Sequence, residues 1–312
     1  MSQPPRIALL CATRRGHLFL EKLMQLLPES ELTVFSFREE SWEPAFFDGI
    51  KHMVESRKHR FIEAKKVDSG GHARIWEQSD FDLLFTVSWR YLVPKTVFSR
   101  PSRGAFVFHD SLLPRYRGFS PTVWAMVNGE DHTGVTLFEM DAGMDTGLVV
   151  AQERVSIGYS DTIATVMERV TQTYLVLLEQ NLAGLLAGTA PRVAQDESLA
   201  TYCCKRLPAD NRIDWSRSAR EIFNLIRAVS APYPGACTRA NGQLLRVWSA
   251  ALPGKPRRYV GAVPGRVVEV LPGEGSLVLT GDGCVLLKDV QVEGAEVTCS
   301  ANVLKQFGLT LE

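Results

Sequence analysis

The chain has 312 residues, 45% of them hydrophobic and 22% charged, enough to bury a substantial core and more than one ordinary domain needs. Lys plus Arg and Asp plus Glu number 35 each, so the formal net charge is zero, which argues against a surface built as a whole for nucleic acid. No run supplies the roughly 20 apolar residues that span a bilayer, residues 1–5 lack the basic start and apolar centre of a secretory leader, and the six cysteines show neither metal-ligand nor disulfide spacing; the expectation is a reduced, cytoplasmic protein that uses no metal and no membrane.

In chain order, residues 6–12 form a short apolar run, Thr13-Arg14-Arg15-Gly16 a turn, and residues 17–27 an amphipathic helix stopped by Pro28. A second strand is predicted over 32–37 and a helix over 42–56. The runs 83–87 and 105–108 are short, continuous and apolar, as expected for interior strands of a parallel sheet. Residues 135–140 and 148–155 read as two more strands bracketing a loop that holds Asp145, and 162–186 as a long helix. Strands alternating with helices predict a doubly wound α/β domain, whose ligands lie beyond the carboxyl ends of the strands. No Gly-x-Gly-x-x-Gly fingerprint is present.

Residues 195–211 are polar and irregular and read as a connection. Beyond them come a helix over 218–229 and short strands with turns at Asn241-Gly242 and Gly281-Asp282-Gly283, the pattern of a small open β-barrel. The expected organisation is a catalytic domain over 1–190, a linker over 191–210 and a β-barrel domain over 211–312.

The chemistry concentrates in two stretches, Phe108-His109-Asp110-Ser111-Leu112-Leu113-Pro114-Arg115-Tyr116-Arg117-Gly118 and Met140-Asp141-Ala142-Gly143-Met144-Asp145-Thr146-Gly147. His109 ends a strand, and histidine is the side chain that exchanges protons near neutral pH. Its bland alternative is a core histidine bonded to a backbone carbonyl. Asp145 can accept a proton or hold His109 in one tautomer, or else simply close an Asx turn. Gly143 and Gly147 allow backbone conformations closed to other residues, leaving room for a flat ligand. Ser88-Trp89-Arg90-Tyr91-Leu92-Val93-Pro94 follows a strand and offers a surface for a ring. Arg115 and Arg117 can bind phosphate or carboxylate, or remain solvated loop residues.

These residues carry a resemblance. His109-x-Ser111-Leu112-Leu113-Pro114-x-Tyr116-Arg117-Gly118, Asn128-Gly129-Glu130 with Thr133-Gly134-Val135-Thr136, and Asp141-x-Gly143-x-Asp145-Thr146-Gly147 resemble the signature of formyltransferases that use N10-formyltetrahydrofolate. Ile213-Asp214-Trp215-Ser216 and Pro232-Tyr233-Pro234-Gly235-Ala236 are similar to the start of that family's C-terminal domain. The resemblance implies a Rossmann-like formyltransferase domain followed by a small open β-barrel, and a reaction in which a primary amine attacks the formyl carbon. It assigns catalysis to His109 and Asp145. It places the formyl donor among Ser88, Arg90, Leu92, Val93, Ser111, Leu112, Leu113, Asp141 and Gly143, and the acceptor near Arg115, Tyr116 and Arg117. One position departs from it: the Asn expected two residues before the histidine is Val107, which has no side-chain donor for an oxyanion.

Family members that act on initiator methionyl-tRNA resemble one another in a basic insertion after the second strand. Here the corresponding run, Ser36-Phe37-Arg38-Glu39-Glu40-Ser41-Trp42-Glu43-Pro44, is acidic and aromatic. That makes tRNA the lesser option, and by resemblance to family members that formylate nucleotide-linked amino sugars the expected acceptor is such a sugar's 4-amino group, for surface glycans, in an enzyme that the same resemblance implies is a homodimer. The alternatives are a methionyl-tRNA formyltransferase, or a folate-binding or formyltetrahydrofolate-hydrolysing protein in which Val107 has impaired transfer.

Overall fold

The computed structural model describes residues 3–40, 43–255 and 257–312. They divide into two compact units, one of residues 1–118, 134–155 and 169–202, the other of residues 119–133, 156–168 and 203–312. The division interleaves along the chain, since the second unit takes two segments from before residue 190.

In the first unit, apolar runs at strand length alternate with amphipathic helices. They give β1 (Arg6–Cys11), α1 (Thr13–Leu26), β2 (Glu31–Ser36), α2 (Phe47–Ser56), β3 (Arg60–Glu63), α3 (Ala73–Gln78), β4 (Leu83–Val87), α4 (Lys95–Phe98) and β5 (Ala105–His109). The two-residue β6 (Arg117–Gly118) follows, and after α5 (Pro121–Val127), which belongs to the second unit, come β7 (His132–Glu139), β8 (Val149–Ser156) and α6 (Ile163–Ala187), whose first turns also fall in the second unit. The seven-stranded sheet runs β3-β2-β1-β4-β5-β7-β8. It is parallel from β3 to β5 and turns antiparallel where β7 pairs β5. Ile7, Ala8, Leu9, Leu10, Leu83, Leu84 and Phe85 are wholly buried, as residues of strands covered on both faces must be.

Helix α1 starts four residues earlier than its apolar period suggests. Thr13 takes a left-handed φ of 65° directly after β1, and the stretch read as a turn becomes the helix's first turn. Gly16 allows this packing, because a Cβ there would lie 2.9 Å from Cys11 Cβ. Helix α2 begins at Phe47 rather than 42; Ser41 and Trp42 lie outside the described residues. Strand β3 and helix α3 were not anticipated, being short and carrying little periodicity.

The second unit holds α7 (Ala219–Val229), whose Ser218 and Glu221 form a reciprocal capping box. The remaining strands are β9 (Tyr202–Cys203), β10 (Ala236–Ala240), β11 (Gln243–Val247), β12 (Ala250–Ala251), β13 (Val267–Leu271), β14 (Gly275–Leu279), β15 (Cys284–Leu287), β16 (Asp289–Val292) and β17 (Thr298–Cys299). Where a small open β-barrel was expected, the antiparallel strands form two four-stranded sheets, β10-β11-β16-β17 and β12-β15-β14-β13. Asn241 and Gly242 take φ of 51° and 76° between paired Ala240 and Gln243, the left-handed pair a two-residue hairpin needs.

Candidate functional site

His109 is the last residue of β5, and its position follows from register: His109 lies opposite Thr136 and Phe106 opposite Glu139. Side chains alternate along a strand, so Val107 shares the face of His109 while Phe108 and Asp110 point the other way. Strand β7 runs antiparallel and leaves the sheet beside the start of β5. The following loop must turn back to bring Asp145 to the far end of that strand. It does so, and Asp145 Oδ2 stands 3.7 Å from His109 Nδ1.

The imidazole has one tautomer available to its neutral form. Its Nε2 is 2.8 Å from the carbonyl oxygen of Tyr116, which only accepts, so Nε2–H donates. Nδ1 is left as the nitrogen that can exchange a proton, and it faces the carboxylate at 3.7 Å, too long for a hydrogen bond and an ion pair only when the ring carries both protons. Asp145 Oδ2 also accepts the Gly118 N–H at 2.7 Å, which fixes its aim. His109 is 8% exposed. The backbone-carbonyl bond and the proton-handling geometry are thus two halves of one arrangement.

The Asp145 loop is built by close approach. Gly143 and Gly147 are not left-handed, contrary to the reason given for them above. A Cβ at Gly147 would fall 1.7 Å from the Glu139 carbonyl oxygen, and one at Gly143 would fall 2.0 Å from Thr146 Oγ1. The left-handed residue is Asp145 itself, at φ 56°, a conformation Asp tolerates better than most side chains. Asp141 closes the turn by accepting from Gly143 N–H at 3.0 Å and from the Thr146 hydroxyl at 2.8 Å. It is therefore a loop-building residue.

Gln195 holds this loop from outside. Its amide donates to the carbonyls of Asp145 (2.9 Å) and Gly147 (2.8 Å), and its Oε1 accepts from Arg117 Nη2 (2.7 Å) and Nε (3.1 Å). Arg117 also donates to both carboxylate oxygens of Glu197 (2.8 and 2.6 Å) and to the Tyr202 hydroxyl (3.1 Å). Its side chain is wholly buried, and the Glu197 hydrogen bonds drive its pKa up, so it stays charged. This corrects the expectation of a substrate-binding Arg117, because every donor direction is taken up inside the protein. Gln195, Glu197 and Tyr202 escaped the sequence reading, since they lie in the stretch read as a connection and only the fold brings them to Arg117.

The loop between His109 and Gly118 is internally bonded. Buried Ser111 donates through Oγ to the Arg115 carbonyl (2.7 Å), Thr136 Oγ1 donates to the Ser111 carbonyl (2.6 Å), and Leu113 N–H donates to Thr136 Oγ1 (3.1 Å). Leu112 packs over Gly134, where a Cβ would meet Leu112 Cδ2 at 2.3 Å. Arg115 is exposed, and Tyr116, at φ 58°, is half-buried. Ser111, Leu112 and Leu113 thus shape the loop, and of the three expected acceptor contacts Arg115 alone is exposed.

Ser88–Val93 forms a separate cluster. Ser88 takes φ 54°, Trp89 and Tyr91 pack edge-on against Phe37, and Arg90 pairs bidentately with Glu43, one contact at 2.8 Å. Val93 packs on the core group of Leu84 and Val97, while Leu92 is 94% exposed. Trp89 Nε1 is buried without a hydrogen-bond partner among the described residues. A hollow of about 730 Å³ lies elsewhere, at the start of β5, lined by Arg103, Gly104, Glu139 and Arg192 among others. It is at the opposite end of that strand from His109, and Arg192 there is already bonded to Glu139 at 2.6 Å.

Residues 47–180 match the family described as Formyl transferase, and residues 207–308 match Formyl transferase, C-terminal domain. Among solved structures, WlaRD, a sugar 3N-formyl transferase determined with dTDP and 5-N-formyl-THF, superposes at a TM-score of 0.69 and 16% identity, covering 95% of this chain and all of that one. An N-formyltransferase from Helicobacter canadensis, in complex with folinic acid and dTDP-3-aminofucose, superposes at 0.67 and 17%, covering 91% and 98%. Methionyl-tRNA formyltransferase from Clostridium thermocellum superposes at 0.55 and 18%, covering 80% and 95%. At such identities the likeness is one of fold.

Proposed function

This chain belongs to the formyl transferase family, and on that premise we propose that it moves the formyl group of N10-formyltetrahydrofolate onto the primary amine of a nucleotide-linked amino sugar, with His109 and Asp145 as its proton carriers. The observation that carries the catalytic reading is the locked imidazole: Nε2–H donates to Tyr116 O, and Nδ1 faces Asp145. In this reaction the amine nitrogen bonds to the formyl carbon, the bond from that carbon to N10 breaks, one proton leaves the amine and one is delivered to N10. Asp145 accepts the amine proton, its carboxylate aimed by Gly118. His109 relays protons through Nδ1. Val107 adds no side-chain donor beside it, so any hydrogen bond to the charge developing on the formyl oxygen must come from another group.

Two observations support a sugar acceptor. Some similar structures are named as sugar formyltransferases, and two similar structures were determined with dTDP or a dTDP-linked amino sugar. The segment after β2 is acidic and locally paired, with Arg38 bonded to Asp48 and Glu43 to Arg90, a poor surface for a phosphate backbone. Exposed Arg115 is the residue proposed to meet the nucleotide phosphates, and Ser88–Val93 is proposed to line the donor.

The test is incubation of the protein and N10-formyltetrahydrofolate with a panel of dTDP- and UDP-linked 3- and 4-amino sugars, followed by mass spectrometry. One sugar should gain one formyl group. Transfer to methionyl-tRNA and to no sugar would replace the acceptor. Formate release without any amine would make the protein a hydrolase.

A further inference from the structure

The residues on either side of His109 are fastened to the face of the sheet opposite the site. Asp110 accepts from Arg15 Nη1 through both carboxylate oxygens, at 2.8 and 3.0 Å, and also pairs with the Tyr174 hydroxyl. The Phe108 carbonyl lies 2.9 Å from the same hydroxyl, whose single proton is shared between the two acceptors. Arg15 Nη1 donates to that hydroxyl at 3.2 Å, and the guanidinium sits 4.5 Å above the Tyr174 ring. Tyr174 also stacks on Phe108, with centroids 5.1 Å apart and planes 24° from parallel. Arg15 belongs to the first turn of α1 and Tyr174 to α6, so β5 is gripped at its last residues by two helices.

We propose that Arg15, Asp110 and Tyr174 form a positioning triad for His109, fixing the two peptide groups that carry the imidazole. It rests on the reading of His109 as the proton carrier. A buried ion pair is weak evidence for stability, because apolar side chains of similar shape commonly stabilise a core as well or better. What a charged, hydrogen-bonded pair supplies instead is a direction. Here Arg15 is 7% exposed and Tyr174 2%, and the directed bonds end on the residues before and after His109. Burial and the Asp110 charge push the Tyr174 pKa well above its usual value, so the hydroxyl remains a donor through the physiological range. The pull is exerted from the far face and touches no substrate. Its effect is to hold Nε2 on the Tyr116 carbonyl, and so to leave Nδ1 on Asp145. A displacement of about 1 Å at such a site can cost roughly 100-fold in turnover.

The measurement is the tautomer of His109 in the full chain labelled with ¹⁵N-histidine, using long-range ¹H–¹⁵N correlation and His109→Gln to identify the signal among the six histidines. Wild-type His109, when neutral, should carry its proton on Nε2. In Tyr174→Phe, which keeps the ring, and in Asp110→Asn, the share protonated at Nδ1 should rise about fivefold or more; kcat on the accepting sugar should fall about 10- to 100-fold with KM within about twofold. Arg15→Lys, which keeps the charge, should show smaller changes in both than Arg15→Met, which removes it. A folded Tyr174→Phe with unchanged His109 signals and unchanged kcat, losing only melting temperature, would show the triad to be purely structural. Tyr174→Phe decides the matter if Asp110→Asn does not fold. Failure of the wild-type protein to formylate any amine would strike at the function reading while leaving the tautomer shift to be observed.

Discussion

Arg117 and Arg90 occupy loops that look alike in the sequence, each rich in arginine, aromatic and small residues after an apolar strand. The fold treats them oppositely. Arg117 is wholly buried and bonded to Gln195, Glu197 and Tyr202, and through Gln195 it supports the backbone of Asp145. Arg90 is exposed and paired with Glu43 beside a side chain, Leu92, that is almost entirely in solvent. Charge and motif do not separate the two. What separates them is whether the guanidinium itself is buried with all five donors taken by fixed acceptors, because only then does an arginine define the geometry of its neighbours.

The comparison breaks at once if the residues the Arg117 cluster serves are not essential. His109→Gln and Asp145→Asn should each lower kcat by about 100- to 10,000-fold, the range of a lost acid–base group, while leaving the melting temperature nearly unchanged. Either variant at wild-type rate would remove the site itself. Next in size are Arg117→Met and Gln195→Leu. Arg117→Met should destabilise the fold by about 1–3 kcal/mol, held to that range because the Glu197 left behind is solvated. Both should cut kcat by about tenfold as the Asp145 loop loosens, with equilibrium denaturation and steady-state kinetics as the readouts. A stability loss without any rate loss would reduce the cluster to packing.

How far these roles were legible follows from which interactions are local. The strands β1, β4 and β5, the hairpin at Asn241-Gly242 and the capped α7 could be read because periodicity, turn chemistry and caps are written within a few residues. That His109 and Asp145 lie together was expected from motif resemblance, and they stand 3.7 Å apart. Gln195 could not be read, being some fifty residues from the backbone it holds and lying in a polar stretch without periodicity. The inward turn of Arg117 was equally hidden, for its acceptors are about eighty residues away. Asp145 as the strained residue of its loop was masked by two flanking glycines, the residues one expects to take that conformation.

A pH profile sharpens the contrast further. The Arg117 hydrogen bonds hold the Glu197 carboxyl below its usual pKa. A carboxyl depressed in the folded state contributes its stability above the unfolded pKa and loses it as pH falls through the folded value. Wild-type stability should therefore drop more steeply than that of Glu197→Gln between about pH 5 and pH 3. Urea midpoints at several pH values would show it, and parallel curves would mean that the pair adds nothing measurable.

The smallest effect on turnover belongs to Arg90, and it bears on what a pair with one exposed partner can be for. Arg90 is 40% exposed but the Glu43 side chain it pairs with only 12%, so Arg90→Ala strands a largely buried carboxylate and should lower stability by about 1–3 kcal/mol. If Ser88–Val93 lines the donor, the same variant should weaken folate binding, raising KM for N10-formyltetrahydrofolate about two- to fivefold with kcat unchanged, the pattern of lost uniform binding. That split is the reverse of the one expected for Arg117→Met, where kcat falls and KM holds. Two arginines, one shaping the machinery and one touching what it binds, would then be told apart by which kinetic constant each controls. A fall in kcat for Arg90→Ala would place it with Arg117 after all, and the difference in burial would no longer be the difference that matters.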